Sequence, residues 1–159
     1  MPKELLRQEI LKQLQAEVEL QANAAELARD EATSEESRAE SKYDTHSQEA
    51  AYLAEGQAKL AAEATEAIEV YQSMPFPDFT SDSPVALGAL VEIEAGDQRA
   101  WYLLGPRAGG LELSMDDGTP VLLITPQSPL GHQLVGKSIG SAVQVPGSNT
   151  IGHNISKII

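Results

Sequence analysis

Three carboxylate side chains spaced four residues apart are the clearest candidates for chemistry in this sequence: Glu36, Glu40 and Asp44. Residues four apart lie on one face of a helix, and like charges at that spacing cost about 0.2–0.5 kcal/mol per pair. Such an unfavourable row indicates a functional role for these residues, which is either to hold a metal ion or to contact a basic groove of a partner. In the structural alternative, Glu35 and Glu36 complement the partial positive charge of a helix N-terminus. Glu40 and Asp44 are then ordinary solvated residues.

Other familiar chemistries have no suitable residues. The chain contains no cysteine, which excludes disulfides, thiolate zinc sites and cysteine nucleophiles. The three histidines, His46, His132 and His153, do not have the spacing of metal ligands. Lys137 follows Gly136 but lacks the glycine-rich loop that binds nucleotide phosphates.

The acidic row lies where two segments of the sequence meet. In both segments small or apolar residues recur at spacings that alternate between three and four residues, as in a coiled coil. In the first segment these residues are Leu11, Leu14, Val18, Gln21, Ala25, Ala28 and Ala32. In the second they are Ala39, Tyr43, His46, Ala50, Leu53, Gln57, Leu60, Ala64, Ala67 and Tyr71. Thr33 and Glu36 fit a capping box that starts the second helix at residue 33 or 34. The pattern predicts an antiparallel hairpin over residues 1–74 with its tip near 32–37, in which Leu14 pairs with Leu53 and paired numbers sum to 67 or 68.

Beyond the hairpin, residues 75–84 are rich in proline and serine and read as a linker. Over residues 85–159 the period changes to two, which indicates strands. The predicted strands cover residues 85–93, 99–104, 111–115, 120–125, 139–145 and 150–159. Ser128 and Pro129 open one short helix as N-cap and first residue, and Gly136 ends it. The prediction is an α+β chain whose second domain is a small antiparallel sheet carrying one helix.

The charge distribution restricts the partners. The chain has a net charge of −13; residues 1–79 contribute −10, from 7 basic and 17 acidic side chains, and residues 80–159 contribute −3, from 4 and 7. A chain this acidic repels a phosphate backbone, so we expect no direct non-specific binding to DNA. No apolar run is long enough for a membrane span, and the charged N-terminus does not resemble a signal peptide. We therefore expect a cytoplasmic protein.

The segment from Ser128 to Gly140, SPLGHQLVGKSIG, resembles the C-terminal domain of the bacterial Gre transcript-cleavage factors. The Leu-Gly-Pro segment at residues 104–106 is also similar to that family. Together with the hairpin, the resemblance covers almost the whole chain. It implies an N-terminal coiled-coil hairpin followed by an FKBP-like domain.

The resemblance also implies a function. Gre factors bind RNA polymerase and insert the hairpin into its secondary channel, where tip carboxylates help to hold a second Mg²⁺ ion and backtracked RNA is cleaved. The corresponding tip residues here are Glu35, Glu36, Glu40 and Asp44, and the docking residues are Ser128, Pro129, Gly136 and Lys137. The resemblance implies that the chain is an accessory factor with no catalytic residues and no bound metal of its own. Mg²⁺ belongs to the polymerase active site, and RNA is met at its 3′ end only within the elongation complex.

The tip differs from the Gre pattern, which leaves alternatives open. Ser37 stands where the family has aspartate, and one residue fewer separates Glu40 from Tyr43. One alternative is a channel occupant that inhibits or tunes polymerase without stimulating cleavage. The others are an FKBP-like prolyl isomerase, which the few aromatic residues of the second domain disfavour, and a generic coiled-coil interaction module.

Overall fold

The computed structural model describes residues 2–37, 44–147 and 152–159. Two long helices come first, α1 (Pro2–Ser37) and α2 (Asp44–Ser73), and a small sheet with one short helix follows. The predicted α+β architecture is therefore confirmed. The chain divides into two compact units, one formed by Leu11–Glu69 and the other by Met1–Ile10 together with Val70–Ile159. No helix in the described part of the chain is both long and apolar enough to cross a bilayer.

The helical unit, Leu11–Glu69, buries mainly small side chains. The buried positions are Leu14, Ala25, Ala28, Ala50, Ala54, Ala64 and Ala67. The predicted inward positions of Leu53 and Leu60 were wrong, because these side chains are 55% and 47% exposed. Ala54, one residue after Leu53, is buried instead. Alanines permit close approach of two helices but remove little apolar area from water.

The predicted turn at Thr33–Glu36 was also wrong, because α1 continues through these residues to Ser37. The capping-box sequence is thus not used to start α2, and the connection at residues 38–43 lies outside the described residues. With α1 ending at Ser37 and α2 beginning at Asp44, residues at the same level have numbers that sum to about 81. Arg7 supports this register, since its Nη1 donates to the Tyr71 and Met74 carbonyls at 2.6 and 2.8 Å. A heptad pattern looks the same after a shift of seven residues, so the sequence period could not separate this register from the predicted one.

The second unit contains a six-stranded mixed sheet in the order β3-β4-β2-β1-β6-β5. The strands are β1 (Leu90–Ala95), β2 (Gln98–Leu104), β3 (Glu112–Ser114), β4 (Pro120–Ile124), β5 (Ala142–Val143) and β6 (His153–Ile158), with α3 (Pro129–Leu134) after β4. The prediction of a wholly antiparallel sheet fails at one pair, because β2 and β4 are parallel. The 15 residues between Leu104 and Pro120 allow this crossover and add β3 at the sheet edge.

One face of the sheet forms the main core with α3. Its buried members include Val91, Ile93, Leu104, Ile124, Leu130, Leu134, Ile155 and Ile158. Leu103 and Leu123 alternate with these along β2 and β4 and are fully buried towards the other face.

The beginning of α1 and the end of α2 belong to the same unit as the sheet. Tyr71 is fully buried and its hydroxyl donates to the Arg107 carbonyl. Glu9 accepts a hydrogen bond from the Ser114 amide at 2.9 Å. These bonds fasten both helices to the loops and edge of the sheet.

Candidate functional site

Three of the four predicted tip carboxylates, Glu35, Glu36 and Asp44, are distributed over both helices rather than in one row. Glu35 and Glu36 fall in the last turn of α1, and Asp44 is the first residue of α2. Glu40 lies outside the described residues. The prediction that Glu36, Glu40 and Asp44 form a single row on the second helix was therefore wrong. The backbone instead brings carboxylate-bearing positions to both sides of the connection.

The helix ends give these carboxylates different electrostatic surroundings. The C-terminus of a helix carries a partial negative charge, and a carboxylate near it is typically unfavourable by about 0.3–1 kcal/mol. Glu35 and Glu36 occupy positions in the last turn of α1, which contains no basic residue. Asp44 lies at a helix N-terminus, where a negative charge is favourable. The alternative in which Glu35 and Glu36 complement a helix N-terminus is thus wrong.

A metal site is not formed by the residues whose side chains the structure describes. Among them, no group of three or more His, Asp or Glu side chains is placed to hold a metal ion. The side chains of residues 32–47 are not among those described. The Mg²⁺ expectation for Glu35, Glu36, Glu40 and Asp44 therefore stays a prediction.

The predicted docking segment forms the short helix α3 as expected. Ser128 is its N-cap: the hydroxyl accepts from the Gly131 amide at 3.0 Å and donates to the Thr125 carbonyl at 2.7 Å. Pro129 occupies the first helical position, where a missing amide hydrogen is tolerated. Both residues therefore have a local structural role that is independent of any partner.

Gly131 is essential to this cap, which sequence reasoning did not identify. A Cβ added at Gly131 would overlap the Thr125 carbonyl oxygen and would lie 2.8 Å from the Ser128 hydroxyl. The backbone at Thr125 can therefore approach the helix only because residue 131 has no side chain. A glycine three residues after a serine N-cap was the available signal.

Gly136 and Lys137 join the end of α3 to the start of the second domain. Gly136 has a φ of +82°, donates its amide to the Val85 carbonyl at 2.8 Å, and accordingly ends the helix. The Lys137 carbonyl accepts from the Val85 amide at 2.8 Å. The side chain of Lys137 is exposed, as are Val135 and Ile139 on either side of it. Of the four predicted docking residues, Lys137 is the one that offers a charged exposed side chain.

Lys3 is a buried cation that sequence reasoning did not single out. Its ammonium group donates to the Pro77 carbonyl and to the Gly88 carbonyl, at 3.0 Å in the second case, and lies 4.7 Å from the centre of the Phe79 ring. Burial lowers the pKa of Lys3 to about 8, and nearby Asp78 acts in the opposite direction. Lys3 therefore ties the first turn of α1 to the predicted linker.

Glu92 is a second buried charge that was missed. Its carboxylate accepts from the Ser156 hydroxyl at 2.8 Å and lies 3.5 Å from the half-exposed Arg99 guanidinium. These three residues lie on β1, β2 and β6 and connect the strands. They are distant in sequence from the predicted tip and from the predicted docking segment. A charged residue within an apolar strand gives no sequence signal of its partner.

Comparisons with known proteins give structural matches only. No protein-family model matches the chain, and no characterised protein matches by sequence. The structure of GreA factor homolog 1 (Gfh1) of Thermus thermophilus is 17% identical, with 96% of this chain and 94% of that chain covered and a TM-score of 0.38. Gfh1 of Thermus aquaticus is 19% identical, with coverages of 95% and 92% and a TM-score of 0.33. These values are too low for the matches to decide the function.

Proposed function

We propose that this chain is a Gre-type accessory factor of RNA polymerase, which inserts its hairpin into the secondary channel and promotes cleavage of backtracked RNA. The observation that carries the proposal is the helical hairpin whose connection is bordered by carboxylate positions on both helices. The resemblance of residues 128–140 to the Gre C-terminal domain supports it independently.

The dimensions of the helices suit a narrow, deep channel. α1 has 36 residues and α2 has 30, which at about 1.5 Å per residue gives lengths of roughly 54 and 45 Å. The alanine-rich contact between them keeps the pair slender. A chain that must reach a recessed active site needs this combination of length and small cross-section.

The proposed chemistry uses oxygen ligands for a metal that the polymerase supplies. Mg²⁺ binds through a few carboxylates and keeps several waters, so a small number of added carboxylates can hold a second ion. Two metal ions stabilise the attacking and leaving oxygens of a phosphodiester displacement. Glu35 and Glu36, at the negative end of α1, add to the potential that attracts a cation. The chain contributes carboxylates and positioning, and the polymerase contributes the reaction centre.

A second candidate within this class is a channel occupant that inhibits polymerase without cleavage. Ser37 at the family's aspartate position favours it, because a hydroxyl is a weaker ligand for Mg²⁺ than a carboxylate. A prolyl isomerase is less well supported. Phe79 lies beside Lys3, whereas Trp101 and Tyr102 are adjacent on β2 and therefore point to opposite faces.

The decisive experiment is RNA cleavage in a backtracked elongation complex assembled with polymerase from the same organism. We expect the wild-type chain to accelerate cleavage in the presence of Mg²⁺, and Glu36→Gln and Glu40→Gln to abolish the acceleration without weakening binding. Glu26→Gln, on α1 away from the tip, is the matched control and should retain full activity. Polymerase binding and inhibition without cleavage would support the occupant instead. Failure to bind polymerase would overturn the proposal.

A further inference from the structure

The helical unit carries a second apolar face that its own seam does not cover. Leu20 and Leu27 on α1 are 62% and 70% exposed, and Leu53 and Leu60 on α2 are 55% and 47% exposed. Each pair is seven residues apart, which places its members on one helix face about 10.5 Å from each other. We call these four residues the leucine face.

The four leucines lie together on one side of the hairpin. Leu20 and Leu27 directly precede the inward positions Gln21 and Ala28, and Leu53 directly precedes the buried Ala54. Each leucine is therefore displaced from the seam by the same angle, about 100°, in the same sense along its own helix. Because the two helices are antiparallel, these equal displacements place the leucines on the same side of the helix pair. The residue numbers of Leu20 and Leu60 sum to 80, as do those of Leu27 and Leu53. The helix ends give a sum of 81 for residues at the same level, so each of these two leucine pairs lies at one level of the hairpin. The leucine face therefore consists of two leucine pairs, one heptad apart.

The centre of the leucine face is a hollow. Ala24 and Gly56, whose numbers also sum to 80, lie midway between the two leucine pairs. A Cβ added at Gly56 would meet no atom within 4 Å. No contact with the described residues therefore requires a glycine at this position, and a glycine inside a helix costs about 1 kcal/mol relative to alanine. Four knobs around a hollow form the receptor half of a knobs-into-holes contact.

Carboxylates close both ends of the leucine face. Glu17 and Glu63 occupy the next level on one side, and Glu31 and Glu49 the next level on the other, again with sums of 80. The two glutamate levels are 14 residues apart, or about 21 Å. The order along either helix is therefore glutamate, leucine, small residue, leucine, glutamate.

This symmetric order argues against a second copy of the chain as the occupant. A two-fold related hairpin would place glutamate pairs on glutamate pairs in either direction, and residues 11–69 contain 14 acidic and only 5 basic side chains. The charges are instead complementary to a helix whose apolar stripe is flanked by lysine or arginine. An amphipathic helix with such a stripe binds by placing its apolar side chains in a groove.

We propose that the leucine face is a docking site for a basic amphipathic helix of a partner protein. One apolar side chain of that helix fills the Ala24–Gly56 hollow between the leucines. Cations about 14 residues apart face the two glutamate levels. The leucine face lies outside the tip and outside α3, and the test below contains no polymerase, so its outcome does not depend on the proposed polymerase function.

The test uses a fluorescein-labelled synthetic helical peptide of about 20 residues with a central leucine stripe and lysines about 14 residues apart. We expect one peptide to bind per full-length chain, with a dissociation constant on the order of 10 µM. A peptide with the same leucines and glutamates in place of the lysines should not bind. Fluorescence anisotropy measures both.

Variants distinguish the leucine face from general acidity. Leu27→Gln and Gly56→Leu should each weaken binding about tenfold, whereas Ala51→Gln should not, since Ala51 is exposed and lies two residues before Leu53, about 160° round the helix from it. Far-ultraviolet circular dichroism checks that each variant keeps its helices. No binding, or binding that Leu27→Gln leaves unchanged, would overturn the proposal. A wild-type dimer that Leu27→Gln dissociates would also overturn it, in favour of a second copy.

Discussion

Gly131→Ala and Gly56→Ala are the same substitution in two helices, and the structure predicts opposite effects on stability. The new methyl group at residue 131 would overlap the Thr125 carbonyl oxygen and lie 2.7 Å from the carbonyl carbon. Because the obstacle is backbone rather than the end of a flexible side chain, the cap at Ser128 must open. The methyl group at residue 56 meets open space in a helix interior.

The magnitudes follow from these contacts. Loss of an N-cap costs about 1 kcal/mol, and overpacking adds about 1–3 kcal/mol. Gly131→Ala should therefore lower the free energy of unfolding of the second unit by about 2–4 kcal/mol. Gly56→Ala should raise that of the helical unit by about 0.5–1 kcal/mol, because alanine has the higher helix propensity.

Urea unfolding followed by two probes measures both effects. Trp101 is the only tryptophan and lies on β2, so its fluorescence reports on the sheet. Circular dichroism at 222 nm reports mainly on the two long helices. The reasoning is refuted if Gly131→Ala costs less than about 1 kcal/mol in the tryptophan transition. It is equally refuted if Gly56→Ala destabilises the helices.

Three further predictions concern charges and their partners. Burial lowers the pKa of Lys3 to about 8 from 10.5, so between these pH values the unfolded chain binds more protons than the folded chain. The free energy of unfolding should therefore rise from pH 8 to pH 10. Urea titrations of Lys3→Met should show a smaller rise. Burial raises the pKa of Tyr71 to about 12 from 10.0, so the free energy of unfolding should fall as the pH rises above 10. Tyr71→Phe should reduce this fall. At pH 7 the same substitution should cost about 1 kcal/mol, because the hydrogen bond to the Arg107 carbonyl is lost. Lys137→Glu should weaken polymerase binding in a pull-down without shifting the unfolding midpoint, because its side chain is exposed; an unchanged affinity would exclude Lys137 from docking.

Local sequence signals predicted much of the fold correctly. The serine-proline start of α3 depends on neighbouring residues alone, and it is found where expected. The register of the hairpin depends on a repeat that is degenerate under seven-residue shifts. For that reason the turn was placed within residues 33–36. Leu53 was assigned to the seam for a different reason, because leucine is more apolar than the neighbouring Ala54, which is the buried residue.

The remaining errors and omissions concern long-range contacts. The parallel pairing of β2 with β4 follows from a crossover whose path no local motif specifies. Lys3 and Glu92 are charged and would ordinarily be placed at the surface. Their burial depends on carbonyls at Pro77 and Gly88 and on the Ser156 hydroxyl, which are distant in the sequence. The carboxylate positions at the tip were identified by resemblance, and their chemistry remains a prediction.

The discontinuous second unit has a consequence for the order of folding. The bond from Arg7 to the Tyr71 carbonyl joins residues 64 apart in sequence, and closing a flexible loop of that length costs about 3.7 kcal/mol from its length-dependent part alone. A helical hairpin formed first from local contacts brings residues 10 and 70 together before the sheet needs them. During synthesis, moreover, β1 must wait for β6, which follows β2, β3, β4, α3 and β5 in the sequence. We therefore expect substitutions that destabilise the hairpin to slow the folding of the sheet as well.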